Sequence, residues 1–153
     1  MFTSKKRTHP SLLHAVVAAG PFAKWGVDFV HYRPTSTGGH GYIIVAVYYF
    51  TKWAEAMPTY AEDRKTTGLF LFNHIIGRFI IPRAIVTDHG SHFQNKMMVE
   101  LSVKLGFHHD NSTLYYPQAN GQVEAINKVL KTMLQQMVGK AKSNWNLQLF
   151  FAL

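Results

Sequence analysis

The stretch Tyr42-Ile43-Ile44-Val45-Ala46-Val47-Tyr48-Tyr49-Phe50 limits the possible folds of this chain more than any other segment. It is almost wholly apolar, β-branched or aromatic. The turn-forming run Arg33-Pro34-Thr35-Ser36-Thr37-Gly38-Gly39-His40-Gly41 precedes it, and Thr51-Lys52 follows. A strand with no polar face must be covered on both sides, so it belongs in the interior of a sheet with layers above and below. Trp25 to Tyr32 reads as a strand before it, and Trp53 to Met57 as a third that Pro58 ends. Tight connections between the three predict an antiparallel meander.

Helical patterns follow. Asp63 can cap a helix running to about Phe79, with Leu69, Phe72, Ile75, Ile76 and Phe79 on one face and Ile81-Pro82 stopping it. Ala84 to Thr87 is a short buried strand. Gln94 to Leu105 is a second helix, with Met97, Met98, Leu101 and Leu105 inward and Gly106 ending it. Phe107 to His109 gives a last short strand. Ser112 to Gly121 is a polar loop. From Gln122 to about Val138 runs the strongest helical pattern: Val123, Ile126, Val129, Leu130, Met133, Leu134, Met137 and Val138 form an apolar stripe, opposed by Glu124, Asn127, Lys128, Lys131 and Gln135. Gly139 closes it, and Asn144 caps a final helix from Trp145. The predicted order β-β-β-α-β-α-β-α-α is an α/β fold: a mixed five-stranded sheet, a three-strand antiparallel meander plus two further strands, flanked by helices.

With 153 residues, 47% of them hydrophobic, the chain can bury one domain-sized core. Residues 1–20 carry little pattern and read as a basic leader or linker. Lys5-Lys6-Arg7 and the apolar run after it imitate a signal peptide, but His14 interrupts that run. No apolar run reaches the roughly 20 residues of a membrane span. Absence of cysteine excludes disulfides, a thiol nucleophile and cysteine-ligated zinc. Sixteen Lys and Arg against eight Asp and Glu give a formal charge of +8, which favours a polyanionic partner.

Three of the few acids stand where metal-dependent chemistry would need them. Asp28 lies inside the first strand among apolar neighbours, Asp88 ends the fourth, and Glu124 sits in the first turn of the long helix. Clustered carboxylates repel and are poorly solvated in a cleft, and a divalent cation relieves both problems. Oxygen donors without cysteine suit Mg²⁺, with Mn²⁺ as a substitute, and two such ions can serve phosphoryl transfer. Each acid taken alone also has a plain structural use: a backbone partner for Asp28, a turn at Asp88-His89-Gly90, and a helix N-terminus for Glu124. His89 and His92 make a His-x-x-His pair with no third imidazole nearby, a weak metal signal.

Four segments carry a resemblance. They are Trp25-Gly26-Val27-Asp28-Phe29, Tyr49-Phe50-Thr51-Lys52-Trp53-Ala54-Glu55-Ala56, Val86-Thr87-Asp88-His89-Gly90-Ser91-His92-Phe93 and Tyr115-Tyr116-Pro117-Gln118-Ala119-Asn120-Gly121-Gln122-Val123-Glu124. Together they resemble the integrase cores of Ty3/gypsy-type LTR retrotransposons, particularly plant elements. In that family 35 positions separate the second and third acids, as they do between Asp88 and Glu124. The resemblance covers about Pro21 to Leu153. It implies an RNase H-like fold and a polynucleotidyl transferase that trims the 3′ ends of element DNA and joins them to target DNA. Asp28, Asp88 and Glu124 would be catalytic and metal-binding, with Mg²⁺ or Mn²⁺, two ions, as cofactor. Homo-oligomers of the full-length protein and a nuclear location are further implications.

Lys128 and Lys131, four and seven positions after Glu124, lie on its helical face and are candidate DNA contacts. Tyr115, Gln118, Asn120 and Gln122, in the loop before Glu124, are candidates for an unpaired DNA end. Two positions depart from the family: Tyr48 replaces an aspartate that is not a ligand, and Ile80 replaces a glycine, at a cost if that position needs a positive φ. Residues 21–153 are therefore read as a core domain cut short at its C-terminus. A catalytically inactive DNA-binding remnant of a retrotransposon polyprotein is the alternative. A ribonuclease H is disfavoured because Arg64 to Phe79 contains no acid.

Overall fold

The computed structural model describes residues 24–111, 124, 125, 127–129, 131, 132, 135, 136 and 142–152. Its strands are β1 (Lys24–His31), β2 (Tyr42–Tyr48), β3 (Ala54–Thr59), β4 (Ala84–Thr87) and β5 (His108–Asn111). They form one sheet in the order β3-β2-β1-β4-β5. β1, β2 and β3 make the expected antiparallel meander, while β4 lies parallel to both β1 and β5.

β2 has the two-sided cover its sequence demands. Ile44, Ala46 and Tyr48 join Trp25, Val27, Phe70, Ile85 and Met98 in one core, whereas Ile43, Val45 and Val47 join Val30, Trp145 and Leu149 in another. Alternate residues thus feed opposite faces. Trp25 and Trp145 are fully buried, one in each core. An indole buries roughly 200 Å², so each removal from water contributes on the order of 5 kcal/mol as an upper bound. Trp145 also donates from Nε1 to the Pro34 carbonyl at 2.8 Å, tying the last helix to the β1–β2 turn.

Pro58 does not end the third strand. It lies within β3 opposite Ile43, and β3 is an edge strand, where proline's missing N–H is tolerated. The first helix also departs from expectation. α1 (Arg64–Phe70) is capped by Asp63, whose side chain accepts from Thr66 N, but it then widens into a π-helical segment, Leu71–Ile76. Its inward residues are Thr67, Phe70, Leu71 and Ile75, while Leu69 and Phe72 are exposed. The sequence carries two overlapping apolar stripes, and the widened turn favours the one containing Leu71. Ile80 does not have a positive φ. Among the described non-glycine residues only Lys52 does, at 66°, so the cost anticipated for Ile80 does not arise.

α2 (Lys96–Leu105) starts at the N-cap Asn95 and ends at Gly106, whose φ of 77° is left-handed as expected. Met98 is buried, with Met97, Leu101 and Leu105 packed against the core. The described residues between 124 and 136, called α3 below, are all helical. Val129, expected on the apolar stripe, is 56% exposed. The remaining stripe residues and Gly139 lie outside the described residues. A 3-10 turn, Lys142–Asn144, leads into α4 (Trp145–Ala152). No helix among the described residues is long and apolar enough to cross a membrane.

Candidate active site

Alternation along β1 decides where its acid points. Trp25 and Val27 face one core and Val30 the other, so Asp28 shares the face of Val30, on the side covered by α4. Phe29 points the opposite way and packs on His92 and Phe93, with ring centroids 5.0 and 5.6 Å away. β1 and β4 run parallel with Gly26 opposite Val86. Two more residues along that register bring Asp28 level with Asp88, just past the end of β4.

Asp28 is partly buried and well bonded. Its Oδ1 accepts from Phe29 N at 2.8 Å and its Oδ2 from Asn127 Nδ2 at 2.9 Å. Burial is the main reason its pKa lies above the usual aspartate value, and the nearby Asp88 charge pushes the same way. The Phe29 and Asn127 hydrogen bonds and His92 oppose the rise without cancelling it. Asp88 is exposed and accepts from Gly90 N at 2.8 Å. Nε2 of His92 lies 3.7 Å from the same Asp88 oxygen.

Glu124 shares an open cavity of about 420 Å³ with Asp28, Asn127, Lys128, Lys131 and Thr132. The three acids expected from the sequence therefore meet in pairs: Asp28 with Asp88 electrostatically, and Asp28 with Glu124 across the cavity. Among the described residues no group of three His, Asp or Glu side chains is gathered closely enough to hold a metal ion. The donor chemistry nonetheless suits a hard cation, because a positive charge beside Asp28 would relieve both causes that raise its pKa.

Lys128 and Lys131 line this cavity, as expected from their spacing after Glu124. Tyr115, Gln118, Asn120 and Gln122 lie outside the described residues. Asn127, part of the polar stripe in the sequence, also lines the cavity and bonds Asp28. The available signal was its position three residues after Glu124, on the same helical face. The His89/His92 metal reading gains nothing, since His92 packs edge-on against Phe29 and Phe93. His108 and His109 do face differently: His108 is exposed, while Nε2 of His109 meets Thr87 Oγ1 at 2.8 Å.

A mixed five-stranded sheet in this order, with Asp28 inside β1, Asp88 just past the end of the neighbouring parallel strand β4 and Glu124 on an adjoining helix, is that of the RNase H-like class. Comparison with known proteins narrows the class. The integrase core domain family matches residues 18–117, and the chain belongs to that family. It is 32% identical to the Pol polyprotein of Radiation murine leukemia virus (strain Kaplan) over 134 residues, 87% of this chain and 23% of the polyprotein. It is 33% identical to the Gag-Pol polyprotein of Avian reticuloendotheliosis virus over 127 residues, 83% of this chain and 11% of the other. The chain thus spans less than a quarter of these polyproteins. Its fold matches a chain of the simian T-cell lymphotropic virus intasome with a TM-score of 0.74 at 22% identity, covering 86% of this chain and 47% of that one. It also matches the catalytic core domain of BIV integrase with a TM-score of 0.70 at 24% identity, covering 86% and 80%.

Proposed function

We propose that this chain is the catalytic core of a Ty3/gypsy-type, plant-type LTR-retrotransposon integrase, a divalent-metal-dependent polynucleotidyl transferase acting on DNA ends. The observation that carries this reading is the cavity in which Asp28 and Glu124 share walls with Lys128 and Lys131, with Asp88 close enough to Asp28 to perturb it. Asp28, Asp88 and Glu124 would hold Mg²⁺ or Mn²⁺. Bound there as a pair, the ions would polarise the attacking oxygen and offset charge at phosphorus. The protein's own groups do the rest. Lys128 and Lys131 neutralise phosphates of the DNA entering the cavity and fix its register without reading its sequence. Tyr115, Gln118, Asn120 and Gln122, in the polar loop before Glu124, are assigned to an unpaired DNA end. Homo-oligomerisation of the full-length protein and action in the nucleus belong to the same reading.

The second reading is an inactive DNA-binding remnant of the same fold. A nicking and disintegration assay of the 153-residue chain with Mn²⁺ separates the two. The first reading expects cleavage that Asp88→Asn abolishes. DNA binding without any metal-dependent cleavage selects the second. Cleavage unchanged in Asp88→Asn refutes the assignment of the site.

A further inference from the structure

His31 is the last residue of β1 and lines the cavity that also holds Glu124, Lys128 and Lys131. It is exposed, whereas Val30 and Tyr32 on either side of it are buried. Its imidazole stacks on the ring of Tyr42, with centroids 5.0 Å apart and planes inclined by 27°. The antiparallel register sets Tyr42 directly opposite His31, and Tyr42 is half-buried at the start of β2. The outer ring therefore rests on an inner ring that the sheet holds in place.

A flat ring has two faces. Tyr42 takes one face of the imidazole, and the exposure of His31 leaves the other open to a second planar group. The neighbouring charges say which planar group fits. Lys128 and Lys131 line the same cavity and attract phosphates. A DNA strand offers anionic linkages and flat bases together, whereas an aromatic peptide would match the ring but not the lysines. A base inside a duplex keeps both faces against its neighbours, so only an unpaired or frayed base can stack here. Along extended chain, His31 lies about 10 Å beyond Asp28, roughly three steps of stacked DNA at about 3.4 Å each. A strand with a phosphate beside the acids can thus place a base a few nucleotides away on the ring.

We propose that His31, backed by Tyr42, is a stacking seat for an unpaired DNA base at the rim of the cavity. This rests on the reading of that cavity as the place where DNA enters, and adds that the strand held there is unpaired. Fluorescence anisotropy of the 153-residue chain without divalent metal compares a blunt duplex with the same duplex carrying a short single-stranded overhang. The readout is the ratio of the two affinities, overhang over blunt, in wild type, His31→Ala, His31→Gln and His31→Phe, with circular dichroism checking the fold. Wild type should prefer the overhang. His31→Ala and His31→Gln remove the aromatic face and should lower the ratio about 5-fold or more, the low end of the cost of a lost base–aromatic stack. His31→Phe keeps a flat face and should hold the ratio within about twofold of wild type. Lys128→Ala/Lys131→Ala tests the cavity separately and should weaken binding of both DNAs. If this double variant binds both as wild type does, DNA does not enter at the cavity and both readings fall. If it weakens both, yet a folded His31→Ala or His31→Gln keeps the wild-type ratio, the stacking seat is overturned and the cavity reading stands. A ratio for His31→Phe as low as that for His31→Ala also overturns the seat, because a flat face would not be what the DNA uses. Failure of all three His31 variants to fold overturns it too, by making the ring a part of the sheet's packing.

Discussion

A methyl group added at Gly90 would lie 2.3 Å from His92 Cε1 and 2.6 Å from its Nε2. The ring cannot swing aside cheaply, because it packs edge-on against Phe29 and Phe93. Gly90 also donates its N–H to Asp88, so the glycine serves both the turn and the acid. Gly90→Ala should therefore cost about 1–3 kcal/mol by overpacking, read by urea denaturation. The double variant Gly90→Ala/His92→Ala should cost less than the two single changes added together, because the obstructing ring is gone. Strict additivity would mean that the contact is not the cause. Elsewhere, Glu55 is 5% exposed on β3 and bonded by Trp53 Nε1 at 2.8 Å and by Arg78. Arg78→Ala would leave that buried carboxylate short of its cation. The expected loss is on the order of 2 kcal/mol, below the ~3–5 for fully buried pairs because the Arg78 side chain is half exposed. An Arg78→Ala midpoint equal to wild type would place the anchoring of Glu55 elsewhere. At this scale the sequence revealed Asp28, because an acid flanked by Val27 and Phe29 in a β-rich run needs a reason to be there. It did not reveal Asn127, whose reason is a partner 99 positions away.

Elements were legible where a single pattern excluded its rivals. β2 could be nothing but an interior strand, and Asn95 and Gly106 bracket α2 with side-chain and left-handed caps. The helix from Arg64 was less legible because two apolar stripes overlap there, and the π-helical segment that selects between them leaves no mark on composition. β5 was half seen, as Phe107 to His109, yet runs from His108 to Asn111. Its pairing with β4 has a consequence that depends on pH. His109 is half-buried against Thr87, and burial lowers its pKa below 6.5 while Asp110 opposes the shift. The unfolded chain therefore takes up a proton before the folded one does. Stability from this group is complete above the unfolded value of 6.5 and is lost as pH falls through the lower folded value. With nine histidines in the chain, the useful measurement is the difference in unfolding free energy between wild type and His109→Asn. That difference should depend on pH below about 6.5 and be flat above it. A flat difference throughout would remove His109 from the linkage.

The sequence as a whole carries an excess of basic charge, and two of its lysines line a cavity with Asp28 and Glu124. The formal charge of +8 gives DNA a long-range attraction that any basic protein of this size would share. Only the placement of particular cations separates a built DNA site from that general field. Lys128 and Lys131 are exposed, and both line the cavity with Asp28 and Glu124. Lys96 is also exposed but lies on α2, 3.7 Å from Glu100, and lines a different cavity. If phosphates enter beside the acids, Lys128→Ala and Lys131→Ala should each lower the slope of log K against log salt by about 1, equally for unrelated DNA sequences. Lys96→Ala should leave that slope unchanged while altering net charge by the same amount. Fluorescence anisotropy over a salt series without divalent metal measures all three, so the result does not depend on whether the chain cleaves DNA. Equal slope changes for Lys96 and Lys128 would mean that DNA responds to total charge alone, and that the cavity has no special claim on it.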